Sequence, residues 1–343
     1  MRVKIVNCIE EFVKIEGIWN SFYLSGNYTF FQSFNYNFYS WKNILINDKT
    51  NILNIILITQ KNILVAICPF YIDKFKRLRF INDIHSDFCD VLITKKFNLN
   101  ETLIKSKKIG SLNFINLKKN SNLLKIINFK SFIYNYIKEN ETLYSYINLK
   151  KGIFPENHKI LRSKQKSEFR RIFKKNKKSF HCILSFEKNT FPKQDILLLR
   201  KKMIDNKVRD NSFLSSELLK LIESLYHKNE LIISLVKSDS NAQAISFILK
   251  KDNYYLFWID MYDNSKMINI FNYIKFISKK SFIEEINMHF GRGNYFYKLN
   301  NFKPKIENLT HIYIYFSYIA LIYHKIKLKI IYFLKKIYKI IFK

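Results

Sequence analysis

Two pairs of apolar runs, each interrupted by a short polar stretch, dominate the hydrophobic pattern of the chain. The first pair spans 52–59 and 63–71 and is separated by Gln60, Lys61 and Asn62. The second pair spans 231–236 and 244–249. Two apolar runs joined by a short polar break are typical of a β-hairpin. The chain is therefore predicted to contain two hairpins, which align with each other and suggest duplicated domains.

Helical and extended patterns alternate around both hairpins. Helix-like stretches at 9–24 and 33–46 precede the first hairpin, and short strands are predicted at 78–82, 91–93, 114–117 and 143–149. The second hairpin is followed by a predicted strand at 254–261, a helix at 267–281 and a strand at 285–290. Such alternation predicts an α/β fold with mixed sheets and flanking helices.

The length and composition agree with two globular domains. A chain of 343 residues corresponds to about two domains of ordinary size. Hydrophobic residues make up 48%, which is enough to bury real cores, and the 6 glycines and 4 prolines are too few for a turn-rich all-β fold. We expect domains at 1–150 and 151–308, followed by a C-terminal segment at 309–343.

The net charge is +32, from 59 lysines and arginines against 27 acids. A field of this sign attracts phosphates, anionic lipid surfaces or nucleic acid. The alternative is compositional drift, because the chain is also rich in Asn, Ile, Phe and Tyr, the residues that A/T-rich coding favours. Both interpretations remain open at this stage.

A basic stretch at 159–178 lies between the two halves. Phe169, Ile172 and Phe173 fall at helical spacing, so the stretch is predicted to be one helix with an apolar stripe. Glu168 is its one acid. The helix is either an ordinary surface helix with a solvated face, or the wall of an anion-binding groove, or a membrane or nucleic-acid contact.

The C-terminal segment is predicted to form a basic amphipathic helix. From Lys325 onward it contains no acid. A helical projection separates lysines from an apolar face made of Ile326, Ile330, Leu334, Ile337 and Ile341. This pattern favours binding to an anionic membrane surface, and the alternative is packing against the domain.

Targeting and redox signals predict a cytoplasmic protein, with the C-terminal helix as a peripheral contact to the inner face of the membrane. The N-terminal residues lack the apolar stretch of a signal peptide, and no run of about 18 apolar residues predicts a membrane span. The four cysteines are far apart and form neither a disulfide framework nor a metal spacing.

A closing motif carries a family resemblance. The segment 285–298, EINMHFGRGNYFYK, resembles the corresponding motif of the CelD-type GNAT acetyltransferases, which are associated with cellulose and other exopolysaccharide synthesis. Upstream, Ser167 to Arg171 resembles the family's basic helix, and the resemblance covers most of residues 1–305. The matching residues of the motif are Phe290, Gly291, Arg292, Gly293, Tyr297 and Lys298.

This resemblance implies two tandem GNAT-like domains, doubled as in the FemABX aminoacyltransferases. It further implies an enzyme that transfers an acyl group from acetyl-CoA or another acyl-CoA to an amine or hydroxyl of a cell-envelope polysaccharide or its sugar precursor. Three features differ from the family's pattern. His289 replaces an acid, Asn294 and Tyr295 replace two more, and the glycine of the following helix start is absent at 264–267.

The resemblance places the donor between two splayed parallel strands, with its phosphates on the N–H groups of the next helix. The candidate donor-binding residues are Asn264, Ser265, Lys266 and Met267. Arginine and lysine suit phosphate or carboxylate recognition, and the candidate substrate-binding residues are Arg292, Lys298, Arg170 and Arg171.

Acyl transfer requires a base that deprotonates the acceptor. His289 titrates in the useful range, and Asp260 and Asp263 end the adjacent predicted strand. Tyr297 could protonate a thiolate leaving group. Each residue also has a structural interpretation: a half-buried histidine, turn-forming aspartates and a core tyrosine. No metal-binding or nucleotide-binding motif is present.

Three functional hypotheses follow. The first is the acyl-CoA-dependent transferase. The second is a FemABX-like aminoacyltransferase that uses charged tRNA, with the basic helix on the tRNA backbone. The third is a catalytically degenerate GNAT-like protein that binds a partner or nucleic acid, which the missing glycine and acids favour.

Overall fold

The computed structural model describes residues 1–95, 97–100, 109–128, 132, 134–153, 163–263, 266–293, 296–319, 321–322, 325–326, 330 and 333–334. At 136–141, 165, 266 and 296–298 the description is limited to the backbone. Among the described residues, no helix combines the length and apolar character that crossing a bilayer requires.

The described secondary structure alternates between helices and strands. The helices are α1 (Ile9–Lys14), α2 (Glu16–Leu24), α3 (Phe34–Asn43), α4 (Asn122–Ile126), α5 (Ser163–Lys175), α6 (Lys193–Asp205), α7 (Ser216–His227), α8 (Lys266–Ile283) and α9 (Phe296–Phe302). The strands are β1 (Arg2–Val6), β2 (Ile52–Leu53), β3 (Ile55–Gln60), β4 (Ile63–Cys68), β5 (Phe70–Ile72), β6 (Arg77–Phe80), β7 (Leu92–Ile93), β8 (Ser111–Lys118), β9 (Tyr134–Leu149), β10 (Phe180–Leu184), β11 (Leu231–Ser238), β12 (Asn241–Lys251), β13 (Tyr254–Tyr262), β14 (Ile286–Arg292) and β15 (Lys305–Tyr315).

The chain divides into two compact units. The first comprises Met1–Gly26, Asp48–Glu141 and Leu309–Lys343, and the second comprises Asn27–Asn47 and Thr142–Asn308. The predicted domains followed the chain in order, whereas these units place 27–47 with the second half and the C-terminal stretch with the first.

The first unit contains two groups of paired strands. One is antiparallel in the order β1-β3-β4-β7, and the other runs β15-β8-β6-β5-β2 with a parallel β6–β8 pair. The predicted hairpin is β3–β4. Lys61 and Asn62 at its turn both have positive φ, at 49° and 63°, which is the backbone of the two-residue turn that matches strand twist.

Strand β15 includes Leu309–Tyr315, which the sequence analysis assigned to the C-terminal helix. The reason is visible in the side chains: Ile312 and Ile314 are buried at alternate positions and the segment pairs antiparallel with β8. A two-residue period of β-branched residues favours a strand. The described residues between 318 and 334 are helical.

The second unit has one sheet in the order β10-β11-β12-β13-β14, completed by the end of β9 from Thr142. All its pairs are antiparallel except β13–β14, which is parallel. The second predicted hairpin is β11–β12, and Asp239 and Ser240 at its turn again both have positive φ. The two hairpins therefore share their turn geometry as well as their apolar pattern.

Helix α8 packs on this sheet and closes the core of the second unit. The rings of Phe257 and Tyr273 stack at 3.8 Å between centroids, and Phe290 and Phe302 continue the stack at 4.9 Å. All four side chains are at most 4% exposed. This core fixes α8 directly behind the ends of β13 and β14.

Candidate active site

The paired strands β13 and β14 separate part-way along their length. Their parallel register begins at Tyr254 and ends at Leu256 opposite His289. Strand β13 nevertheless continues to Tyr262. A bulge lies at the point of separation, because the β12–β13 register shifts at Phe247 and makes Trp258 the additional residue. A bulge bends its strand, so a gap opens between the two strand ends, as the resemblance predicted.

Strand β14 is bulged as well. Its register with β9 shifts between His289 and Arg292. Gly291 and Gly293 have φ values of 75° and 105°, in the left-handed region where glycine has no steric penalty. The Gly293 N–H donates to the Leu143 carbonyl at 2.9 Å. Both glycines of the motif at 285–298 therefore serve backbone torsions that other residues rarely adopt.

His289 lies on β14 at the start of the gap and is held among aromatic rings. It is 7% exposed. Its ring is stacked near Tyr144, Tyr146 and Tyr254, with centroids 5.4, 5.6 and 5.8 Å away, and Phe30 approaches edge-on at 6.5 Å. The Nδ1 atom is hydrogen-bonded to the Tyr144 hydroxyl. These contacts leave the imidazole little rotational freedom.

Asp260 lies on the diverging part of β13, and both of its carboxylate oxygens accept hydrogen bonds. Ser246 Oγ on β12 donates to Oδ1 at 2.8 Å, and the Tyr273 hydroxyl on α8 donates to Oδ2. Hydrogen bonds to both oxygens fix the orientation of the carboxylate. The carboxylate is thus anchored from the neighbouring strand and from the helix.

The anchor of Asp260 continues as a chain of buried polar side chains, with Asn272 Nδ2 donating to Ser246 Oγ at 3.1 Å. The Ser234 hydroxyl donates to Asn272 Oδ1 at 2.7 Å and also lies 2.9 Å from His181 Nε2. Because Ser234 has one proton and gives it to Asn272, His181 must be the donor to Ser234. Burial and the charges of Lys279 and Lys275 lower the pKa of His181 to about 3, so it is neutral at physiological pH.

The sequence analysis missed Ser246, Asn272, Tyr273, Ser234 and His181. Ser234 and Ser246 each interrupt an apolar strand at an inward-facing position, and Asn272 interrupts the apolar helix 267–281. Buried polar residues require hydrogen-bond partners. Polar residues at inward-facing positions of apolar elements were therefore the sequence signal that could have indicated this hydrogen-bonded network.

Helix α8 begins just after β13, as expected of the phosphate-binding end. Asn264 and Ser265 lie outside the described residues, and of Lys266 the backbone is described. Met267 is in the first turn, and its Sδ atom accepts from the Arg171 guanidinium at 3.5 Å. Arg171 also forms a 2.6 Å ion pair with Glu168. A cation therefore stands beside the N-terminus of an 18-residue helix.

The remaining predicted residues are more scattered. Arg292 ends β14 opposite Tyr144 and is half-buried, while Arg170 is exposed on α5. Asp263 follows β13, and its carboxylate lies 3.5 Å from Lys202 Nζ in a half-exposed ion pair. Tyr297 and Lys298 are on α9, but their side chains lie outside the description. Among the described residues, no group of three or more His, Cys, Asp or Glu could hold a metal ion.

No family model matches the sequence, and no curated protein matches it significantly. Solved structures do match the fold. FemX superposes with a TM-score of 0.58 at 10% identity, covering 92% of this chain and 97% of its own. L-PGS from Bacillus licheniformis gives 0.52 at 10% identity, covering 92% and 94%. A tandem GNAT protein from the clavulanic acid biosynthesis pathway gives 0.51 at 7% identity, covering 91% and 98%.

These similarities concern the fold, because identities of 7–10% carry no information on substrate. The predicted fold class, two tandem GNAT-like domains with mixed sheets and flanking helices, is confirmed. The resemblance is supported at the level of the GNAT and FemABX folds.

Proposed function

We propose that the chain is a GNAT-type acyltransferase that takes its acyl group from acetyl-CoA or another acyl-CoA lying between the ends of β13 and β14. The observation that carries the proposal is the end of the parallel pairing at Leu256 and His289, with α8 beginning behind the gap. Diverging strands expose backbone N–H and C=O groups to which an extended acyl-donor arm could bind.

The phosphate groups of the donor fit the start of α8. The first N–H groups of a helix have no intrahelical acceptor and carry a partial positive charge. Arg171, which is ion-paired with Glu168, places its guanidinium group at this point through its contact with Met267. Lys266, the first residue of α8, is the second cation that we assign to this role.

In the proposed mechanism the donor supplies an activated acyl group, and the protein positions and deprotonates the acceptor. In the tautomer whose Nδ1–H donates to the Tyr144 oxygen, the lone pair of His289 is on Nε2, and we assign to this atom the role of accepting the acceptor's proton. Asp260 is fixed on the opposite strand by Ser246 and Tyr273 and orients the acceptor. Asp263 is the alternative base, and Tyr297 is assigned the protonation of the leaving group.

We further propose that the acceptor is a cell-envelope polysaccharide or its sugar precursor, in the cytoplasm or at the inner face of the membrane. The CelD-type motif at 285–298 supports this acceptor. Arg292 at the end of β14, with Lys298 and Arg170, would recognise its anionic groups. Membrane proximity is supported by Ile326, Ile330 and Leu334, which belong to the predicted apolar face and are 51–58% exposed.

The deciding experiment is thermal unfolding with acetyl-CoA and longer acyl-CoAs. A hundredfold excess over the dissociation constant should raise the free energy of unfolding by about 2.7 kcal/mol. Arg171→Gln should reduce this shift, whereas Arg170→Gln, the neighbouring exposed arginine, should keep it. Absence of a shift with every acyl-CoA would contradict the donor class, and an equal loss in both variants would contradict the position of the site.

A tRNA-dependent aminoacyltransferase is the second candidate, and the surface of α5 supports it. Phe169 and Ile172 are buried, while Arg170, Arg171, Lys174 and Lys175 are exposed on the same helix. Such a face suits a nucleic-acid backbone. A tRNA affinity that falls steeply with salt would favour this candidate. If neither acyl-CoA nor tRNA binds, the degenerate binding protein is the better description.

A further inference from the structure

A groove lies at the end of the second unit's sheet opposite the strand gap. It has a volume of about 1050 Å³ and is bounded by the first residues of β11 and β13, the last residues of β10 and β12, and the C-terminal half of α8. The groove-lining residue of α8 that is nearest to the start of the helix is Lys275, which lies nine residues, or roughly 14 Å, from Lys266. The groove is therefore separate from the proposed donor site.

Lysines dominate the charge of this groove. Its lining includes six lysines but only two acidic residues, Glu187 and Asp252. The lysines come from three different parts of the chain, the loop after β10, the end of β12 and helix α8, and converge because the fold brings these parts together. They are Lys188, Lys250, Lys251, Lys275, Lys279 and Lys280.

The described contacts of Lys279 and Lys280 are with neutral groups. Lys279 Nζ donates to the His181 carbonyl at 2.8 Å, and Lys280 Nζ lies 4.9 Å from the centre of the Tyr255 ring. The nearby acids have hydrogen-bond partners of their own: Glu187 accepts from Asn229 at 2.5 Å, and Glu284 accepts from the Tyr255 hydroxyl at 2.7 Å. Within the part of the chain that the structure describes, Lys279 and Lys280 have no carboxylate within 4.0 Å.

Burial and mutual repulsion act on the same amines. The pKa of Lys280 is lowered first by burial; Glu284 opposes this shift, and Lys250 and Lys188 lower the pKa further. The pKa of Lys279 is lowered by burial, with Cys182 opposing the shift and Lys275 adding to it. An anion in the groove would relieve this repulsion. Two lining residues also have buried polar atoms that lack a hydrogen-bond partner among the described residues, Ser278 Oγ and Asn229 Oδ1.

We propose that this lysine groove is a second binding site, for a ligand that carries a diphosphate or similarly clustered phosphate groups next to an apolar portion. The clustered amines match closely spaced phosphate charges, and Ser278 Oγ can donate to a phosphate oxygen. Phe282 and Ile283, which are 64% and 66% exposed at the rim, suit the apolar portion. The proposal does not rest on acyl transfer, since no residue of the strand gap takes part.

The test compares two double variants of the full chain. Lys250→Gln/Lys280→Gln removes two groove charges, and Lys201→Gln/Lys220→Gln removes two exposed charges of the same unit that do not line the groove. The probe is inorganic pyrophosphate, titrated by calorimetry at constant ionic strength near ~0.15 M, where distant surface charges are screened. We expect the groove variant to bind at least about tenfold more weakly than the wild type, and the control to bind like the wild type.

A second arm identifies the source of the phosphate. Vesicles containing phosphatidylglycerol are compared with phosphatidylcholine vesicles in a flotation assay, with Ile326, Ile330 and Leu334 replaced by serine in every protein so that the C-terminal apolar face does not contribute. Selective flotation that the groove variant loses and the control keeps would support a lipid-borne phosphate. Equal weakening in the two double variants, or no binding of either probe, would overturn the proposal. Arg171→Gln serves as a further check, because pyrophosphate bound at the start of α8 would be lost in that variant instead.

Discussion

At the residue scale, the buried polar chain beneath Asp260 ends at a histidine that must remain uncharged. His181 is 7% exposed, donates to Ser234 and lies near Lys279 and Lys275. Protonation of His181 would place a third positive charge beside those of Lys279 and Lys275. It would not create a new hydrogen bond to Ser234, because His181 already donates to Ser234 when it is neutral. The fold therefore excludes the proton, which an unfolded chain would accept near pH 6.5.

This exclusion makes stability depend on pH. Since the folded pKa is lowered to about 3, the contribution of His181 is complete above about pH 6.5 and is lost as the pH falls towards 3. The loss at pH 5 should be about 2 kcal/mol. Urea unfolding at pH 7.5 and pH 5 should show this difference in the wild type, and His181→Gln should remove it. His227→Gln, which changes an exposed histidine, should retain it, and a variant at His181 that keeps the full pH dependence would contradict the assignment.

At the element scale, the two ends of β13 and β14 depend on bulges, and Gly291 makes one of them possible. An alanine at its φ of 75° would be strained. Gly291→Ala should therefore lower the free energy of unfolding by about 1 kcal/mol or more. Gly17 in α2 is the matched control, because a Cβ there meets no neighbour within 4 Å. Gly17→Ala should leave stability unchanged or raise it by up to about 1 kcal/mol, and urea unfolding measures both.

The elements were predicted with uneven success for a physical reason. The hairpins β3–β4 and β11–β12 are encoded locally, in apolar runs and a polar turn, and both were predicted. The helix predicted at 9–24 is instead two helices that meet at Ile15. Strand β15 is decided by pairing with β8, which lies far away in sequence. Local periodicity does not report such long-range pairing.

The candidate active site could likewise be predicted only where its features are encoded locally in the sequence. The glycines of the closing motif and the start of α8 could be located from sequence spacing. The packing of Arg171 against Met267, or the convergence of Ser246 and Tyr273 on Asp260, requires three-dimensional proximity of separate elements. The lysine groove could not be predicted from the sequence either, because its six lysines are far apart in a chain that contains many others.

At the scale of the whole molecule, the exposed apolar residues near the C-terminus predict membrane association. Replacing Ile326, Ile330 and Leu334 by serine should reduce binding to phosphatidylglycerol vesicles at least about tenfold, because buried methylenes contribute most of such binding. The control replaces Ile18, Leu24 and Ile63, which are 55–76% exposed elsewhere in the first unit. Flotation that is unaffected by the C-terminal substitutions would contradict this role.

The first unit is formed by segments that are far apart in the sequence, and this affects how the protein folds during translation. Strand β8 pairs with β15, and roughly 190 residues, including residues 142–304 of the second unit, are translated between them. At ribosomal rates β8 would wait on the order of 10–40 s for its partner. During this interval one of its edges is unpaired and available to other nascent chains. We therefore expect release of a chain truncated before Lys305 to give aggregation, even though every residue of the proposed active site would already have been synthesised.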